Sequence, residues 1–299
     1  LTDLIKKKGL IADLSLLIVT IIWGSGFVAT KNALDSVLPF FITTLRFFIA
    51  SIFIGMIFFK NIKKLNIKDL KAGFIIGFFL FLAFSTQTVG LQYTTAGKQA
   101  FLTGTNVIMV PFIYWLTSGE KPDIYNILST FLSFIGISLL TLNSSLYINL
   151  GDFLTLLCAL FFACHIVSIS HFTKNHDPII LTFVQFLVAT ILSLIWMFIL
   201  EGTPKSIPLK GLVPIAYLAI FSTFIAFLIQ NIAQKYTTAT HTAVILSLES
   251  VFGSILSCIL LDELFTYKMC IGCVIILLAI ITAETKWNFL NKDHKKFIS

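Results

Sequence analysis

The sequence predicts an all-α membrane protein: ten transmembrane helices in an inverted five-plus-five repeat, with both termini cytoplasmic. Three observations carry this. The 299 residues are 57% hydrophobic and only 12% charged, with 31 phenylalanines, more apolar surface than one soluble core of this size buries. Apolar runs recur at about the 20-residue length that spans a bilayer as a helix. The tetrapeptide Tyr93-Thr94-Thr95-Ala96 returns as Tyr236-Thr237-Thr238-Ala239, 143 positions on, and a matched flank at nearly half the chain length points to internal duplication.

The predicted spans lie at 12–33, 38–59, 71–92, 96–117, 124–142, 150–173, 178–199, 211–235, 240–261 and 268–287. Lys6, Lys7 and Lys8 precede the first, which is too long for a secretory signal and lacks a small-residue cleavage pattern. The second ends at a loop holding Lys60, Lys63, Lys64, Lys68 and Lys71, and the third runs into the first copy of the tetrapeptide. That copy is the turn into the fourth span, which closes on Gly119-Glu120. Lys121 and Lys174 occupy the next even-numbered loops, after spans four and six. Gly202-Thr-Pro-Lys-Ser-Ile-Pro208 reads as an irregular connection between spans seven and eight. Lys235 and the second copy of the tetrapeptide join spans eight and nine, and Lys286, Lys292, Lys295 and Lys296 follow the tenth.

The opposite side holds Lys31, Lys98, Lys205, Lys210 and Lys268. By the positive-inside rule this asymmetry puts both termini in the cytoplasm. The net charge of +7 therefore belongs to membrane boundaries and is not a nucleic-acid surface. The five cysteines, Cys158, Cys164, Cys258, Cys270 and Cys273, fall inside predicted spans. Their apolar setting speaks for small packing residues and against a disulfide framework, the Cys270-x-x-Cys273 spacing included.

The duplication extends through five spans. Residues 39–50, from Pro39 through Arg46 to Ala50, align with 178–189, from Pro178 through Gln185 to Ala189, at an offset of 139. The same offset pairs Asp13 with Asp152, Trp23 with Phe162 and Gly26 with His165. The offset of 143 pairs Gln87 with Gln230, Lys98 with His241, Asn106 with Glu249 and Glu120 with Glu263. The expected units are residues 1–145, 146–287 and a cytoplasmic tail 288–299. Five is odd, so equivalent spans run in opposite directions, as in transporters that alternate access about a midplane site. Ala96, Ala100 and Gly104 form a small-residue stripe matched by Ala239, Ala243 and Ser247, and Gly73-x-x-x-Gly77 reads the same way; all serve close helix packing.

Polar groups inside a bilayer need a reason, because a central charge costs about 2.5–3.5 kcal/mol on insertion scales. Glu249 is the only acid near the middle of a predicted span, and it is either a substrate-amine and proton-coupling site or a carboxyl bonded to a neighbouring helix. Arg46, the only arginine of the chain, either grips a substrate carboxylate or ties helices together. Gln87 and Gln230 suit a cavity lined by both halves, and Asn106 is the uncharged mate of Glu249. Trp23 lies too deep for an interfacial belt and offers an aromatic wall. His165 is a titratable candidate or a structural helix histidine. No catalytic constellation, metal-ligand spacing, phosphate loop or cofactor motif is found, so neither an enzyme nor an ATP-driven pump is expected.

Ile22-Trp23-Gly24-Ser25-Gly26-Phe27 with Lys31, Leu45-Arg46, Ala96, Pro111, Gly119-Glu120, Leu248-Glu249, Gly253, Glu263 and Gly272 together resemble the EamA branch of the drug/metabolite transporter superfamily. The resemblance covers nearly the whole chain. Ser250 stands where that family usually has proline after the ninth-span glutamate, which puts a kink there in question. Gln185 occupies the position of Arg46 in the second half, and Asp262 stands where a glycine often precedes Glu263. The resemblance implies a multi-pass cytoplasmic-membrane transporter with a central cavity, of a kind that often exports amino acids or other small metabolites; separately, the Lys-, Ile- and Asn-rich, Arg-poor composition points to an AT-rich, bacterial genome. The transporter's partners would be a small solute, the lipid bilayer and protons coupled through Glu249. Trp23 and the many phenylalanines keep efflux of lipophilic cations as the alternative, with a lipid-acting enzyme or assembly factor as a remote third.

Overall fold

The computed structural model describes residues 2–141, 149–202, 208–262, 264 and 267–285. Their regular structure is helical. We number ten helical segments: α1 (Thr2–Leu34), α2 (Pro39–Ile57), α3 (Ile67–Gly90), α4 (Ala96–Ser118), α5 (Ile124–Thr141), α6 (Leu150–Phe172), α7 (Pro178–Leu200), α8 (Leu209–Gln234), α9 (Ala239–Leu260) and α10 (Tyr267–Thr285). A single turn, Phe59–Ile62, lies between α2 and α3. Among the described residues eight helices are long and apolar enough to cross a membrane; Ile124–Gly136 in α5 and Cys270–Ala283 in α10 are shorter apolar stretches. Glu263, the tail 288–299 and most of the connection before Pro208 lie outside the described residues.

Local chemistry sets the helix starts. Pro39 and Pro178 occupy the first turns of α2 and α7, where a missing N–H costs nothing. Asn66 with Asp69 and Asn149 with Asp152 form capping boxes at α3 and α6. In the repeated tetrapeptide, Thr95 and Thr238 accept from the backbone N–H of Lys98 and His241 and so cap α4 and α9. The echo in the sequence is thus two matched helix caps. The N-terminus of α2 lacks a cap from Leu38; instead Glu201, just past α7, accepts from the N–H groups of Phe40 and Phe41 at 2.7 and 3.0 Å.

Packing follows the repeat. The helix α1 packs on α8 and α9, and α6 packs on α3 and α4; α2 packs on α7 and α8, and α7 on α2 and α3. Exchanging each helix for the one five later leaves these pairings unchanged. The end ties match as well. Lys98 Nζ meets Asp152 Oδ2 at 2.6 Å, and their counterparts His241 Nε2 and Asp13 Oδ1 lie 3.1 Å apart.

The small residues do what the stripe predicts. Ala96, Ala100, Ala239 and Ala243 have no exposed surface. A Cβ on Gly24 would lie 2.6 Å from Cβ of Phe252, and one on Gly253 would lie 2.7 Å from Cβ of Ala100, so α1, α9 and α4 meet backbone to backbone. Gly73 and Gly77 press against Val184, Gln185 and Val188 of α7 in the same way.

Three irregularities were not expected from the sequence. Between Ala96–Gly104 and Asn106–Ser118, α4 is interrupted at Thr105, and α9 is interrupted at Ser247 between Ala239–Leu246 and Leu248–Leu260. At both points the turn tightens: Ile108 N–H bonds to Thr105 O and Ser250 N–H to Ser247 O. Each hydroxyl turns back onto the carbonyl three residues earlier, Thr105 on Leu102 and Ser247 on Val244, at 2.6 Å. The break in α9 therefore needs no proline at Ser250, whose hydroxyl instead donates to Ala100 O at 2.8 Å. The third irregularity is a π-helical segment, Leu218–Ile225, inside α8.

Candidate functional site

A cavity with about 560 Å³ of empty volume, its opening included, lies among α1, α2, α3, α4, α6, α8 and α9. Trp23, Gly26, Phe27 and Thr30 line it from α1, and Arg46 from α2. Phe84 and Gln87 come from α3, and Gln99, Thr103 and Asn106 from α4. Phe162 and Ile166 of α6, Ser222 and Gln230 of α8, and Leu246 and Glu249 of α9 complete the wall. Six of the residues singled out in the sequence, Trp23, Arg46, Gln87, Asn106, Gln230 and Glu249, therefore share one cavity.

His165 is not on that wall. It has no exposed surface, its Nε2 lies 3.0 Å from Gln185 Oε1, and its ring packs edge-on against Phe227 at 5.6 Å. Its counterpart in the first half is Gly26, which does line the cavity; the His165 side chain instead lies between Gln185 of α7 and Phe227 of α8, although Phe162 and Ile166 on the same turn face the cavity.

The π-helical segment prepares the Arg46 side of the cavity. Widening the turn to i→i+5 bonding shifts side chains and carbonyls relative to an α-helix. Thr223 Oγ1 then accepts from Arg46 Nε at 2.8 Å, Ser222 Oγ from Nη2 at 3.3 Å, and the carbonyl of Ser222 from Trp23 Nε1 at 2.9 Å. The guanidinium lies 4.2 Å over the ring of Phe84. Its partners are neutral: hydroxyls and a π face hold the cation without neutralising it. Behind the wall, Phe227 packs against Trp23, Phe84 and Phe186, its ring 4.9 Å from that of Trp23.

Glu249 and Asn106 occupy matched places at the other wall. Asn106 opens the second half of α4, and Glu249 falls in the first turn of the second half of α9. A helix N-terminus presents unpaired N–H groups and partial positive charge, which suits a carboxylate or a side-chain carbonyl. Glu249 is 8% exposed and lines the cavity, with no hydrogen bond or ion pair among the described residues. The cavity thus holds one fixed cation and one acid, neither engaged by an opposite charge.

The amides add directional contacts. Gln99 Nε2 donates to Gln87 O at 2.7 Å and lies 3.3 Å from Thr155 Oγ1, and Gln87 Nε2 reaches Thr103 Oγ1 at 3.5 Å. Gln99, Thr103, Thr30 and Ser222 were not anticipated. Gln99 and Thr103 carried a signal in hindsight, since they lie two turns and one turn before Asn106 on one face of α4. Ser222 carried none, because its place depends on the π-turn. Among the described residues no group of three or more His, Cys, Asp or Glu side chains is placed to hold a metal, and Cys158, Cys164 and Cys270 form no disulfide.

The model of the EamA-like transporter family matches the chain twice, over residues 10–142 and 149–284. An uncharacterized transporter of Archaeoglobus fulgidus is 40% identical over 279 residues, covering 93% of this chain and 87% of the relative. The uncharacterized transporter YoaV of Bacillus subtilis is 24% identical over 271 residues, covering 88% of this chain and 93% of that one. A solved crystal structure matches with a TM-score of 0.76 over 93% of this chain and 98% of its own, at 17% identity, a likeness of fold. The chain belongs to the EamA-like transporter family, as the residue motifs implied, and is a multi-pass membrane protein.

Proposed function

We propose that this member of the EamA-like transporter family exports a zwitterionic metabolite, an amino acid or a close relative, by alternating access. The observation that carries the reading is the presence of Arg46 and Glu249 on one cavity wall system. A carboxylate fits the donors of the guanidinium, and an ammonium fits the carboxylate of Glu249. Trp23 and Phe162, which also line the cavity, flank an apolar or aromatic side chain. A buried charge in a membrane protein is costly enough to require such a use.

The architecture we propose is ten spans in an inverted five-plus-five repeat, residues 1–145 and 146–287, with cytoplasmic termini. The matched helix pairings, breaks and end ties support it. Glu249 is the proposed proton-coupling group. The uncompensated cation at Arg46 weighs against lipophilic cations as the main cargo, because like charge meets them at the site.

Uptake into proteoliposomes of a ¹⁴C-labelled amino-acid mixture, with and without an imposed pH gradient, tests the reading. Amino acids compete and tetraphenylphosphonium does not if it holds. Saturable tetraphenylphosphonium transport that no amino acid inhibits would overturn it in favour of cation efflux.

A further inference from the structure

The cavity wall is not symmetric under the repeat, and its asymmetry leans to the first half. Trp23/Phe162, Phe27/Ile166, Gln87/Gln230, Thr103/Leu246 and Asn106/Glu249 are repeat counterparts, and both members of each pair line the cavity. Six further lining residues, Gly26, Thr30, Arg46, Phe84, Gln99 and Ser222, have counterparts that do not. Five of these, all but Ser222, belong to the first half. Their counterparts, His165, Ile169, Gln185, Phe227 and Thr242, have no exposed surface at all.

The polar members of this hidden set are also unsatisfied. His165 Nδ1, Gln185 Nε2 and Thr242 Oγ1 are buried without a hydrogen-bond partner among the described residues. Such atoms cost free energy where they stand. His165 and Gln185 adjoin the cavity wall rather than lying scattered, and Thr242 joins them as the repeat counterpart of Gln99. His165 and Gln185 touch each other, Phe227 packs on His165, and Gln230, which is on the cavity wall, lies one turn beyond Phe227 on α8. The Oε1 of Gln230 is itself buried and unpartnered.

We infer that His165, Gln185 and Thr242 form a second, cryptic arm of the solute site, which lines the cavity in the oppositely facing conformation. The inference rests on the repeat-swap reading under Proposed function, in which one half adopts the arrangement of the other. In this conformation the arm built by Gly26, Arg46 and Gln99 is open and the arm built by their counterparts is packed shut. On alternation the two exchange. The solute's carboxylate then leaves a fixed cation, Arg46, for a neutral amide and an imidazole, Gln185 and His165. That exchange weakens its hold at the face where the second arm opens, so half-saturation from that face needs about tenfold more solute, one charge-assisted hydrogen bond being lost.

Single cysteines test this in a protein whose native Cys158, Cys164, Cys258, Cys270 and Cys273 are replaced by serine. Gln99→Cys and Thr242→Cys are each reconstituted and labelled with a membrane-impermeant methanethiosulfonate from either face; His165→Cys stands in for Thr242→Cys should that variant not fold. The expected result is labelling of the two positions from opposite faces, each about tenfold faster from its own face than from the other. The inference is overturned if the second-half cysteine stays unlabelled from both faces, or labels from the same face as Gln99→Cys. Flux of the ¹⁴C-labelled amino-acid mixture through proteoliposomes of the unsubstituted protein, measured in parallel, separates the two readings. Persisting flux with the wrong labelling pattern sinks the second arm alone, and absent flux sinks amino-acid transport.

Discussion

Arg46 donates from Nε to the hydroxyl of Thr223 across 2.8 Å, and the acceptor is in place because α8 widens into a π-turn there. The bond fixes the direction of the guanidinium fork. Thr223→Val removes the acceptor with little change in volume and leaves a buried donor seeking another partner. Bonds to charged groups contribute about 1.5–3 kcal/mol, so KM for an amino acid should rise about tenfold or more, with kcat much less affected. Initial-rate uptake in proteoliposomes checks this; an unchanged KM would mean that Arg46 is structural.

Arg46→Lys keeps the charge but not the planar fork. Two hydroxyl acceptors and a stacked Phe84 ring cannot all be served by one ammonium. Transport should fall by at least about tenfold, with the protein still folded by size-exclusion elution. Full activity in Arg46→Lys would reduce the residue's role to charge alone.

Glu249→Gln keeps shape and hydrogen bonding and removes titration. If Glu249 couples protons, a pH gradient that drives accumulation by the wild type should drive none in the variant, while exchange of solute down its own gradient persists. A variant that still responds to the pH gradient would place coupling elsewhere.

The contact of Gly24 with Phe252 and Gly253 leaves no space for a methyl group. Gly24→Ala or Gly253→Ala must push α1, α9 and α4 apart, an overpacking cost of about 1–3 kcal/mol. Thermal unfolding in detergent should shift downward for both, whereas Gly9→Ala, inside α1 with nothing near its added Cβ, should not lower it, alanine being the better helix former.

Glu201 gives a pH signature outside the spans. Burial raises its pKa above the ordinary glutamate value, and the N–H groups of Phe40 and Phe41 pull it back only in part. A carboxyl with a raised folded-state pKa stabilises the fold fully below its unfolded value and loses that contribution as pH rises through the folded value. The unfolding temperature of the wild type, relative to Glu201→Gln, should therefore decline as pH rises across that window. A difference that is flat with pH would contradict the assignment.

Much of this was legible in the sequence because lipid imposes simple rules. Helix positions followed from apolar length, and the offset between the two tetrapeptides paired Asn106 with Glu249 and Gln87 with Gln230, four residues that meet in the cavity. Two of the ten segments, α5 and α10, have described apolar stretches shorter than a full span, so hydropathy placed the helices better than it placed their ends. His165 shows the limit of single-residue reasoning. Its type suggested a site, but its exposure depends on which arm of the repeat is open. The interruptions at Thr105 and Ser247 and the π-turn at Leu218–Ile225 left no sequence signal strong enough to read, because each is only a one-residue shift in the bonding of an otherwise continuous helix. The placement of Ser222 and Thr223 against Arg46 was invisible for the same reason.

The central claim is that one cavity reads both ends of a zwitterion, the carboxylate at Arg46 and the ammonium at Glu249. Counterflow exchange in proteoliposomes tests it most directly, comparing a transported amino acid with its decarboxylated amine and its deaminated acid. The wild type should exchange the zwitterion well and both analogues poorly, Arg46→Gln should lose the preference over the amine, and Glu249→Gln the preference over the acid. Equal exchange of the amine and the zwitterion by the wild type would contradict the claim.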